Sequence, residues 1–133
     1  MKELIDKIKK ARFVFVCGNG GSAATAEHLA NDLFSKGIRA ICLNSNVSIM
    51  TMIANDFGYE HVYSKQLGVY ANKKDMLITI SCSGTSPNTF NANTMANLIG
   101  MGIYQFEAFS KDRDYEALED KHMQLVHKIK AAL

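Results

Sequence analysis

Residues 81–88 read Ser-Cys-Ser-Gly-Thr-Ser-Pro-Asn and follow directly on the apolar run Met76-Leu77-Ile78-Thr79-Ile80. A strand that opens into clustered hydroxyls and a glycine, then starts a helix, has the parts of an anion holder. Ser86 suits an N-cap and Pro87 the first helical position. Backbone N–H groups left free at a helix start favour a phosphate. Ser81, Ser83, Thr85 and Ser86 add hydroxyl donors without adding charge, which suits a ligand that must bind and leave. The same residue types also make an ordinary helix-capping turn.

A second loop, Gly18-Asn19-Gly20-Gly21-Ser22-Ala23, satisfies G-x-G-x-x-A after one apolar run and before a helical stretch. A dinucleotide site also requires an acidic residue about twenty residues on, at the end of the next strand, to hold the ribose. There the chain reads Leu43-Asn44-Ser45-Asn46, with no acid. Nicotinamide is therefore not expected as a cofactor. The glycines serve any ligand that must approach the backbone closely.

The elements that must carry these loops follow from periodicity. Met1–Ala11 reads as an amphipathic helix with Leu4, Ile5 and Ile8 on one face. Strands are expected at 12–17, 38–43 and 76–80, with a half-exposed edge strand at 103–109. Helices are expected at 23–35, ended by Gly37, at 49–54 behind a cap at Ser45 or Ser48, and at 57–70 with Val62, Leu67 and Val69 inward. Two more are expected at 88–99 and 113–133, the last with Leu118, Leu125, Val126 and Ile129 as its apolar positions. Alternating strands and helices imply an α/β fold, a three-layer α/β/α sandwich around a parallel sheet. Ligands bind such sheets beyond the carboxyl ends of the strands, where both loops would lie.

Composition bounds the class. The 133 residues are 47% apolar and 21% charged, which fits one soluble globular domain over residues 1–133. A net charge of +2 gives no electrostatic reason to expect nucleic acid or a membrane surface as partner. There is no apolar run long enough for a membrane span and no signal-peptide core. Cys17, Cys42 and Cys82 are an odd number at strand-like positions, which reads as reduced thiols in a cytoplasmic protein.

Four stretches together resemble the sugar isomerase (SIS) domain, and within it the phosphoheptose isomerase group. They are GNGGSAATAEHLANDL (18–33), MTMIANDFGY (50–59), DMLITISCSGTSPN (75–88) and HMQLVH (122–127). The resemblance implies a flavodoxin-like sandwich that assembles as a homotetramer with its sites between subunits. The implied activity is isomerisation of sedoheptulose 7-phosphate to a heptose 7-phosphate for surface-polysaccharide precursors. Relatives without isomerase activity imply an alternative: a phosphosugar sensor, or an interaction module of the kind that binds a replication initiator.

By resemblance, Gly20, Ser22, Ser81, Cys82, Ser83 and Ser86 would hold the phosphorylated sugar, and Asn19 and Asp56 would face its hydroxyls. Cys82 stands where a threonine is common, and a buried inert thiol is expected there. Aldose–ketose isomerisation passes a proton between adjacent carbons through an enediol, and needs a base over one carbon and an acid near the carbonyl oxygen. The implied pair is Asp32, where the family carries glutamate, and His127. His122 lies five residues before His127, about 140° away around a helix, so only one of them can face the site. The resemblance also implies a zinc set of His28, Asp32, Glu119 and His127, with Glu119 at a glutamine position. Lys36 takes the place of an arginine, keeping the charge but losing the bidentate fork. The chain looks shortened: a strand–helix unit is missing between Phe109 and the last helix, and Ser110–Asp114 bridges that gap.

Overall fold

The computed structural model describes residues 1–109 and 113–133. Its elements run α1 (Lys2–Lys10), β1 (Val14–Gly18), α2 (Gly21–Ser35), β2 (Ala40–Cys42), α3 (Val47–Phe57), a 3-10 turn (Tyr59–His61) and α4 (Ser64–Tyr70), followed by β3 (Met76–Ile80), α5 (Pro87–Ile99), β4 (Gly102–Gln105) and α6 (Tyr115–Ala132). The strands form one parallel sheet in the order β2-β1-β3-β4.

Strand periodicity divides the core into two. Along the wholly buried β1 and β3, Val14, Val16, Met76, Ile78 and Ile80 face one side. Phe15, Cys17 and Leu77 face the other. The first side is covered by Leu4, Ile5 and Ile8 of α1, Ala26, Leu29 and Leu33 of α2, and Val126 and Ile129 of α6. The second is covered by Ile53 of α3, Val62 and Tyr63 just before α4, Leu67 of α4, and Ala92 and Ala96 of α5. This is the expected three-layer sandwich.

β1 and β3 are pinned together where they begin. Asp75, 2% exposed, accepts from Arg12 Nε at 2.9 Å and Nη2 at 2.7 Å, and from the Phe13 and Asn72 backbone N–H groups. Burial pushes the Asp75 carboxyl up, but the Arg12 guanidinium and the backbone donors outweigh it and leave it below its ordinary value.

Four expectations need correction. The helix expected over 57–70 is broken, because Gly58 takes φ 101° and ends α3, and the chain makes a 3-10 turn before α4. Val69 points outward and is 82% exposed, because α4 lays Leu67 rather than Val69 on the core. Asn46, not Ser45 or Ser48, caps α3 by accepting from Ile49 N at 3.0 Å. The strand expected at 103–109 is confined to β4, although Phe106 N and Phe109 N still donate to Thr79 O and Cys82 O. Residues 110–112 of the expected bridge lie outside the described residues, and α6 begins after an Asp114 cap that accepts from Ala117 N.

Candidate functional site

Register brings the two loops together. Gly18 pairs with Ile80, so the chain leaves β1 and β3 side by side at the carboxyl edge, where connections depart to opposite sides of the sheet. The approach is close: a methyl group at Gly18 would stand 2.6 Å from the Ser22 carbonyl oxygen and 2.8 Å from that of Ile80. Gly20 then turns the chain into α2 with φ 57°. Across the gap Ser22 Oγ lies 3.9 Å from Cys82 Sγ, both side chains buried.

The loop after β3 forms a triangle of hydroxyls. Ser81 Oγ and Ser83 Oγ are 3.4 Å apart, Ser81 and Ser86 3.5 Å, and Ser83 and Ser86 3.4 Å. Ser81 Oγ accepts from Gly84 N and Ser83 Oγ from Thr85 N, which leaves each hydroxyl proton free to point outward. Ser86 stands at the N-cap of α5 but makes no capping bond, so its hydroxyl joins the triangle rather than closing off the helix. Pro87 follows at the first helical position. Three hydroxyls over an uncapped helix start form an uncharged cradle for an anion with several oxygens.

Asn19 fixes the cradle's geometry. Its amide exchanges two bonds with that of Asn88 on α5, at 2.8 and 2.9 Å, and its Oδ1 also accepts from Tyr59 Oη at 2.8 Å. The Tyr63 hydroxyl donates to the Gly18 carbonyl and accepts from Asn44 Nδ2 at 2.9 Å, and Asn44 Nδ2 also reaches Gly18 O at 2.8 Å. Burial pushes the Tyr63 phenol far above its ordinary pKa, so it stays a neutral donor. Asn19 was expected to face sugar hydroxyls. Here its side chain bonds Asn88, Tyr59 and Tyr63, which ties the glycine loop to α5. Cys82 is 5% exposed; burial raises its thiol pKa first, partly offset by Ser22 and reinforced by the Glu119 carboxylate, as an inert thiol requires. Asp56 is exposed near the end of α3, where its carboxylate accepts from Asn55 Nδ2 at 3.0 Å.

The acid–base candidates lie further along α2, against α6. Asp32 is 1% exposed. Its Oδ1 accepts from Lys130 Nζ at 2.6 Å, and its Oδ2 lies 3.4 Å from His28 Nε2. The exposed His127 ring stands edge-on to His28 with centroids 5.4 Å apart. His122 turns the other way. It is 3% exposed, packs edge-on against Phe106 and bonds the Glu107 carbonyl at 2.7 Å, a packing role. The expected divergence of the two histidines thus turns His127, not His122, toward His28 and the α2 face that carries Asp32.

Glu119 is not part of that group. A methyl group at Gly21 would collide with its carboxylate, so Glu119 rests on the first turn of α2, where a helix favours negative charge. His28 is seven residues further on, about 10 Å along the helix. Among the described residues no three His, Cys, Asp or Glu side chains are grouped to hold a metal ion. The expected zinc set is therefore not assembled.

Sequence reasoning missed Tyr63, Asn44, Asn88 and Lys130. Lys130 left a signal: it stands three residues after His127 and so shares its helix face. Tyr63 left none once 57–70 was read as one helix.

The sheet order, with the hydroxyl triangle at its switch point, defines a doubly wound α/β domain. The SIS domain family profile matches residues 1–106, and the chain belongs to that family. It is 42% identical over 104 residues to a phosphoheptose isomerase of Helicobacter pylori, covering 74% of this chain and 54% of that protein. It is 40% identical over 104 residues to phosphoheptose isomerase 1 of Campylobacter jejuni, covering 74% and 56%. The chain thus spans about half the length of these relatives. The phosphoheptose isomerase structure from Neisseria gonorrhoeae superposes with a TM-score of 0.88 at 28% identity, over 98% of this chain and 80% of that one. One from Francisella tularensis gives the same TM-score at 23% identity and supports the fold alone. No described helix is long and apolar enough to cross a membrane.

Proposed function

We propose that this chain binds a phosphorylated sugar and isomerises it between ketose and aldose, in the manner of sedoheptulose 7-phosphate and D-glycero-D-manno-heptose 7-phosphate. The observation that carries the reading is the Ser81–Ser83–Ser86 triangle over the uncapped start of α5. The similarity to phosphoheptose isomerases supports it.

In this reading the phosphate sits on the triangle, with Gly20, Ser22 and Cys82 forming the facing wall and Asp56 reaching the sugar's hydroxyls. His127 and Asp32 handle protons. One proton leaves C1 of the ketose while the carbonyl oxygen gains one. The resulting enediol takes a proton at C2 and loses one from O1, giving the aldehyde with no net gain or loss of electrons. Surface-polysaccharide precursor synthesis is the proposed use, in the cytoplasm. A homotetramer with sites between subunits fits the apolar side chains left open on α3, α4 and α5: Met52, Phe57, Val69, Phe90 and Leu98.

The test is incubation with sedoheptulose 7-phosphate. Aldose should form, and Asp32→Ala and His127→Ala should abolish it. No aldose from the intact chain removes the isomerase reading.

A second reading, a phosphosugar sensor or interaction module without turnover, is favoured by one observation. Asp32 is bonded to Lys130 and lies ten residues along α2 from Ser22, about 15 Å. A thermal-shift screen with phosphosugars separates the cases. Binding without turnover supports the sensor, and no binding supports the interaction module.

A further inference from the structure

The cluster of Asp32, His28, His127 and Lys130 contains one buried anion with a cation already seated on it. Asp32 Oδ1 is taken by the Lys130 ammonium at 2.6 Å. Asp32 Oδ2 is buried, has no hydrogen-bond partner and faces His28 Nε2 at 3.4 Å. His127 lies against His28 from the other helix. A buried carboxylate facing one imidazole, with a second imidazole packed edge-on to the first, presents ligand types that zinc takes. Here, however, a divalent ion on Asp32 would stand beside the Lys130 ammonium, and like charges repel. A fourth ligand is also lacking, because the Glu119 carboxylate lies at the far end of α2 against Gly21.

We propose that Lys130 is the resident cation of this cluster: its ammonium on Oδ1 already neutralises the Asp32 carboxylate and would repel a divalent ion at the neighbouring Oδ2, so the folded chain excludes zinc. The proposal goes beyond the isomerase reading and stands whether or not the chain turns over a sugar. It also assigns Asp32 a standing partner. The carboxylate is held by Lys130 from α6 on one oxygen and left open toward His28 on the other.

The experiment titrates zinc into the full chain, stripped of metal with a chelator and followed by calorimetry, with circular dichroism as the check on folding. The wild-type chain should show no one-to-one site. Lys130→Gln, which keeps an N–H donor for Asp32 but removes the charge, should bind one zinc at least tenfold more tightly than wild type. Adding His127→Ala to Lys130→Gln should take that gain away. Lys130→Arg, which restores a cation, should behave like wild type. A wild-type site with Kd below about 1 μM overturns the proposal. So does a folded Lys130→Gln that binds zinc no better than wild type, or a Lys130→Arg that gains as much as Lys130→Gln. Should Lys130→Gln not fold, the wild-type titration and Lys130→Arg still decide.

Discussion

The hydroxyl cradle after β3, proposed to take the phosphate, and the Asp32 cluster, proposed to handle protons, are built by different means. The cradle hangs from the sheet: β1 and β3 are in register to their last residues, and Asn19, Asn88, Tyr63 and Asn44 tie their loops into one hydrogen-bonded unit. Backbone and buried polar groups fix it, and nothing in it carries a formal charge. The acid–base cluster hangs from two helix faces. Its histidines are exposed, and an ion pair between α2 and α6 holds its carboxylate. The first region is held together within one chain. The second presents its histidines outward.

Substitutions that separate the two regions test this contrast. The largest effect is expected at Gly18. A methyl group there meets two backbone carbonyls that cannot move without breaking the β1–β3 register. Gly18→Ala should cost about 3 kcal/mol of stability. It should also abolish phosphosugar binding, both readable in one thermal-shift experiment with and without ligand. A Gly18→Ala chain that melts and binds like wild type means the cradle does not depend on that approach.

His127→Ala is next and should act oppositely. The ring is exposed, so the melting temperature and phosphosugar affinity should hold while turnover falls by about a hundredfold or more. An equal loss of binding and turnover would merge the two regions into one. A smaller effect is expected inside the triangle. Ser83→Ala removes one charge-assisted donor and should weaken sugar-phosphate binding by about tenfold, with kcat little changed. Affinity by calorimetry and steady-state kinetics give the split.

The contrast also explains what could be read from the residues. The glycine loop and SCSGTSPN lie between strong apolar runs, so their place at one sheet edge follows from strand alternation and helix punctuation. Ser81, Ser83 and Ser86 then converge because the loop between strand and helix is short. Local patterns do not encode contacts between distant helices. The bond from Lys130 to Asp32 spans 98 residues, and the contact of Glu119 with Gly21 depends on how α6 crosses α2. Asn19 was assigned to the sugar by family resemblance alone. Its reciprocal pairing with Asn88 arises only once β1 and β3 are neighbours. The break at Gly58 was hidden because glycine inside an otherwise apolar-periodic stretch is weak evidence until its φ is known.

The smallest effect separates the two ends of the same pair of strands. β1 and β3 open into the cradle at Gly18 and Ile80 but are stapled at their beginnings by Arg12 and Asp75. The folded state holds the Asp75 carboxyl below its ordinary pKa, so protons bind it more weakly there than in the unfolded chain. Its contribution is therefore complete above the unfolded value, near 3.9, and is lost as pH falls through the lowered folded value. Asp75→Asn should cost about 1 kcal/mol at neutral pH and flatten the stability curve in that acid range. Phosphosugar affinity at neutral pH should stay at the wild-type level, because the staple and the cradle sit at opposite ends of the strands. Urea midpoints measured from pH 7 down to pH 3, beside one neutral-pH affinity, check both parts. A fall in affinity matching the fall in stability would mean that the register at the cradle is set by the Arg12–Asp75 pair rather than by the loops' own hydrogen bonds.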